Sequence, residues 1–64
     1  MNMTYLIFRK RTEEQKPAWV ETVQGLEKTK ERFQHYTSSS DEQYFVFDVQ
    51  EAKLINFHTK AKSA

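Results

Sequence analysis

The chain has 64 residues, no cysteine, ten Lys and Arg against nine Asp and Glu, and a formal net charge of +1. That length allows one small domain, residues 1–64, with a core so modest that added stability must come from elsewhere. The missing cysteines exclude disulfides and thiolate metal sites, and the charge balance argues against a dedicated polyanion binder.

Two histidines, His35 and His58, are too few for a self-contained metal site. No cofactor is expected, and self-association is left as the added source of stability. Nine aromatics among 64 residues (Trp 1, Tyr 3, Phe 5) are too many for a disordered chain.

The opening MNMTYLIF has an apolar run too short for a secretion signal and no basic residue ahead of it. Nowhere does the chain approach the roughly 20 apolar residues of a membrane span. The expectation is a cytoplasmic protein without a membrane partner, which the lack of cysteine also fits.

Thr4 to Arg9, TYLIFR, is rich in β-branched and aromatic residues and predicts a first strand. KRTEEQKP follows as a polar loop closed by the only proline. Ala18 to Val23, AWVETV, predicts a second strand, and the short loop makes the pair an antiparallel hairpin. Gly25, the only glycine, marks a break where the backbone needs a conformation that other residues resist.

From Leu26 to about Tyr36 the composition is helical. Leu26, Phe33 and Tyr36 share one side at a 3.6-residue period, with Thr29, Lys30 and Thr37 filling in. TSSSDE predicts the helix end, because Ser and Asp favour turns.

Gln43 to Val49 and Lys53 to His58 predict a second hairpin centred on Gln50-Glu51. In that register Phe47 faces Leu54 and Phe45 faces Asn56 on one side. On the other, Val46 faces Ile55, Tyr44 faces Phe57, and Asp48 faces the oppositely charged Lys53. Residues 59–64 read as a flexible polar tail. The fold class is therefore α+β, ββαββ: a four-stranded, mainly antiparallel sheet with one helix on one face.

WVETVQGLEKTKERF followed by QYFVFD resembles a pattern of short bacterial proteins with no function attached. Those proteins carry a Trp-hydrophobic-Glu strand, a Gly-Leu-Glu helix start and a Tyr-Phe-Val-Phe-Asp strand. The resemblance spans about residues 5–57 and implies an α+β fold in a bacterial cytoplasmic protein. The tip Gln50-Glu51-Ala52 departs from the glycine usual in a tight hairpin and leaves the turn type open.

Both faces of this sheet are apolar. One carries Phe45, Phe47, Val49, Ala52 and Leu54, the other Tyr44, Val46, Ile55 and Phe57. The first strand splits into Tyr5 and Ile7 against Leu6 and Phe8. The second splits into Trp19 and Val23 against Ala18 and Val20. One helix covers one face, whereas a sheet with a wet face alternates apolar and polar residues. The uncovered face is thus expected to be a contact surface. The expected set is Tyr5, Ile7, Tyr44, Val46, Ile55 and Phe57. If the helix lies on that side, the set becomes Leu6, Phe8, Phe45, Phe47 and Leu54.

Three occupants compete. The leading one is a second copy, or another protein, in a homodimer-like contact. The next is single-stranded RNA or DNA stacked on Tyr5, Tyr44 and Phe57, with Arg9, Lys10, Arg11, Lys60 and Lys62 meeting phosphates. The last is the chain's own termini and loops.

Catalysis has little support. His35, Ser38 to Ser40 and Asp41 lie close in sequence, but an outward helical histidine beside a serine turn is a weak triad. A small ribonuclease-like toxin with His35 or His58 as base is the enzyme alternative. Trp19 is expected to be a core anchor with its N–H satisfied at an edge.

Overall fold

Four strands and one helix follow each other as β1 (Thr4–Lys10), β2 (Ala18–Gln24), α1 (Leu26–Ser39), β3 (Gln43–Asp48) and β4 (Lys53–Ile55). The computed structural model describes residues 3–55 and residue 57. The expected strand residue Asn56, the candidate base His58, the phosphate contacts Lys60 and Lys62 and the tail at 59–64 lie outside the described residues.

The sheet order is β2-β1-β3-β4, with every neighbouring pair antiparallel. The ββαββ architecture predicted from the sequence is the one found. The two hairpins come together when α1 carries the chain across β1, so that β3 adds to the free side of β1. β2 and β3 then run parallel to each other on either side of it, as a helical crossover requires.

The second hairpin has the predicted register: Val46 opposite Ile55, Phe47 opposite Leu54 and Asp48 opposite Lys53. Its four-residue connection holds Ala52 at φ 55°. The Asp48–Lys53 charge pair does not form. Lys53 Nζ instead meets Glu51 Oε1 at 3.1 Å, and Asp48, buried, accepts hydrogen bonds from the Gln50 and Glu51 amides. The Asp48 carboxylate accepts from the amides of its own turn rather than from the lysine across the strand. The Gln50 side-chain amide also pairs with both backbone groups of Thr4, at 2.6 and 3.0 Å, as a strand neighbour would.

Gly25 precedes the helix at φ 94°, ψ 137°, a region essentially reserved for glycine. Its amide donates to the Met3 carbonyl at 2.7 Å, closing the end of the β1–β2 ladder. Its carbonyl takes the first helical hydrogen bond, from Thr29, and also accepts the Thr29 hydroxyl at 2.7 Å. Thr29 is fully buried with that polar group satisfied, so its methyl faces the core without cost.

The helix outlasts the expected end near Tyr36. Thr37, Ser38 and Ser39 turn their hydroxyls back onto the Gln34 and His35 carbonyls, at 2.8 to 3.3 Å. Those bonds fall on carbonyls one turn back inside the helix, which the hydroxyls share with helix amides.

The core lies between α1 and the sheet and consists of Tyr5, Ile7, Val23 and Val46, with Val20, Phe33, Tyr36, Tyr44, Ile55 and Phe57 packed around it. The working helix stripe is Thr29, Phe33 and Tyr36. Leu26 and Lys30, expected on it, are exposed.

Two expectations are corrected here. The contact set Tyr5, Ile7, Tyr44, Val46, Ile55 and Phe57 is the face that α1 covers. Tyr5, Ile7 and Val46 are buried at 3%, 0% and 0% exposure. Phe57 packs on Phe33 with ring centres 5.4 Å apart, and Tyr44 stacks on Tyr36 at 5.3 Å. These large side chains fill the space beneath the helix and form the core.

The second correction concerns β2. Ile7 is opposite Glu21 but Phe8 is opposite Trp19, so Val20 is an extra residue in β2, a β-bulge. The bulge inverts the alternation. Trp19 and Val23, expected on one face, point to opposite faces, and Trp19 is no core anchor.

Candidate interaction surface

The face turned away from α1 can be mapped from the pairing. Cα partners in a sheet share a face. One row across it runs Trp19, Phe8, Phe45. The next runs Thr22, Leu6, Phe47, Leu54. Two adjacent rows thus hold six large apolar side chains and one threonine, with no charge. Lys10 stands at a corner, its Nζ donating to the Glu14 carbonyl at 2.8 Å.

Among the described residues no second helix or strand packs over these rows, and Leu6, Phe8, Phe45 and Phe47 are half-buried. Trp19 and Leu54 are each 61% exposed. Phe8, Pro17, Phe45 and Leu54 line a shallow apolar depression of about 270 Å³. The β1–β2 loop contributes only Pro17 to it. An apolar surface of this kind on so small a protein marks a contact.

The bulge explains how Trp19 comes to stand here, at the β2 edge. Its indole N–H donates to the Thr22 hydroxyl at 3.2 Å. The single polar group of the side chain is therefore satisfied within the strand. Nothing in the β2 sequence announces an inserted residue, so the placement was invisible until the pairing was known. Leu6, Phe8, Phe45, Phe47 and Leu54 were legible as one face by simple alternation.

The opposite side holds a polar network at the β2–α1 groove. Glu21 accepts hydrogen bonds from Arg32 Nε at 2.8 Å and from the Tyr36 hydroxyl at 2.7 Å. Burial alone would push the Glu21 carboxyl up, but those hydrogen bonds and the Arg32 charge hold it below the usual carboxylate range. Tyr36 is raised, first by its hydrogen bond to Glu21 and then by burial. This network staples α1 to β2. His35 lines the same groove, exposed, with its ring edge-on to Tyr36.

The expected catalytic constellation is not assembled. Ser38 and Ser39 donate to the His35 backbone carbonyl, not to its imidazole. Ser40 accepts from the Glu42 amide at 3.1 Å. The basic cluster is likewise engaged: Arg9 and Arg11 both face Glu42, at 3.7 and 2.8 Å. The proposed stacking residues Tyr5, Tyr44 and Phe57 lie beneath the helix.

Among the described residues no three His, Cys, Asp or Glu side chains gather as a metal site, and no helix is long and apolar enough to cross a membrane. Comparison with protein-family models, curated proteins and solved structures finds no match.

Proposed function

We propose that this protein is a non-catalytic module of the bacterial cytoplasm that self-associates through the sheet face opposite α1. One observation carries the reading: Trp19, Phe8, Phe45, Leu6, Phe47 and Leu54 form a charge-free apolar surface with no second helix or strand packed over it among the described residues. A small domain gains from a second copy the apolar burial that its own length does not supply. The absence of cysteine suits the cytoplasm.

The row Trp19, Phe8, Phe45 also supports a second reading, a stacking platform for single-stranded RNA or DNA. It is the weaker one. Leu6 and Leu54 interrupt the platform with packing surface, and Arg9 and Arg11 are already engaged by Glu42.

Light scattering with size exclusion across a dilution series tests the first reading. The expected mass is twice the chain mass at high concentration, and Leu54→Glu reduces it to one chain while circular dichroism is unchanged. A wild-type protein that stays at one chain mass throughout would overturn it. Val46→Glu is not a useful probe, because that fully buried position takes no charge in any assembly. A salt series with single-stranded RNA tests the second reading, since phosphate contacts must weaken steeply as salt rises.

A further inference from the structure

We infer that the two copies meet face to face about an axis running along the strands, so that each Trp19 enters the Phe8–Phe45–Leu54 depression of the other. This rests on the self-association proposed above and specifies its geometry.

When two facing sheets pack with their strands aligned, the two-fold axis between them runs close to the strand direction or close to the perpendicular. Across the strands, β2 lies over the partner's β2, and Trp19 meets the edge that carries the partner's own indole. Along the strands the order reverses, and β2 lies over the partner's β4. The protruding side chain of one edge then meets the depression that ends at the other edge, and the contact occurs twice. Trp19 and Leu54 occupy these opposite edges, on β2 and β4, and both are 61% exposed. Aligned packing of this kind is one of the two ways sheets stack face to face.

Three features favour a second copy as occupant. The two central rows carry no charge, so a self-complementary contact juxtaposes no like charges. The indole N–H is already bonded to Thr22, so enclosing Trp19 strands no donor. The area suits a weak, concentration-dependent pair, because the two flat footprints together fall below a standard stable interface. Four strands about 4.8 Å apart and about six residues long give a flat footprint of about 400 Å². Side-chain relief enlarges that toward the small end of stable interfaces, where a buried aromatic anchor carries much of the affinity.

Trp19 is the only tryptophan, so it reports on itself. In a dilution series its emission is expected to shift to shorter wavelength, and its quenching by acrylamide to fall, with the same midpoint as the mass. Trp19→Ala and Leu54→Ala are each expected to weaken dimerisation, Trp19→Ala by about thirtyfold. The double variant should be weakened by less than the product of the two. Both sites are exposed, so each monomer stays folded by circular dichroism. A dimer whose tryptophan remains quenchable, or whose two substitutions multiply independently, would overturn this geometry and leave self-association standing. Absence of any dimer would overturn both.

Discussion

Phe8 is paired with Trp19, although the preceding residue of β1, Ile7, is paired with Glu21. The strand β2 therefore spends Val20 without a partner, and its two halves have opposite parity. Glu21 and Val23 face the helix, whereas Trp19 joins the exposed rows. The most exposed aromatic of the protein owes its position to one inserted residue.

Deletion of Val20 should consequently be tolerated. It converts β2 to a regular strand with Trp19, Glu21, Thr22 and Val23 on their present faces. The expected loss is about 1–2 kcal/mol, from the packing of a half-buried valine, read as a lower urea midpoint with an unchanged far-ultraviolet spectrum. Deletion of Thr22 also leaves a regular strand with Trp19 and Val23 on opposite faces, but it turns Glu21 outward, away from Arg32 and Tyr36, and should cost more than deletion of Val20.

Two positive-φ positions should respond with opposite signs. Gly25→Ala meets no atom within 4 Å but is strained by φ 94°, and the expected loss is about 1–2 kcal/mol. Ala52→Gly relieves φ 55° in an exposed turn. Part of that relief is offset by the greater freedom of glycine in the unfolded chain. The expected gain is about 0.5 kcal/mol, a rise of a few degrees in the thermal midpoint. A loss on Ala52→Gly would show that the left-handed turn carries no strain.

The Glu21–Tyr36 contact should make stability depend on pH at both ends. The folded carboxyl of Glu21 titrates below its unfolded value. Its contribution is therefore complete above about pH 4.3 and lost as pH falls through the folded value. Tyr36 is shifted upward. Its contribution is complete below about pH 10 and is lost as pH rises through the raised folded value. Because the network is half-exposed, each effect should be no more than about 1 kcal/mol. Urea titrations of Glu21→Gln against the parent should show both losses reduced in the variant; parallel pH profiles would contradict the coupling.

Much of this fold can be read along the chain. The order of elements, the β3–β4 register and the division of β1, β3 and β4 into two apolar faces all follow from local alternation, because a strand's period of two is a property of its own backbone. Gly25 announced the break before α1 for a similarly local reason. What alternation leaves open is which face the helix takes, since the two faces are about equally apolar. That choice is made in three dimensions, where Thr29, Phe33 and Tyr36 close over Ile7 and Val46 while Glu21 holds Arg32 and Tyr36. The bulge at Val20 is equally non-local. It exists only in the pairing of β2 with β1, and it carries Trp19 to the surface where a partner can reach it.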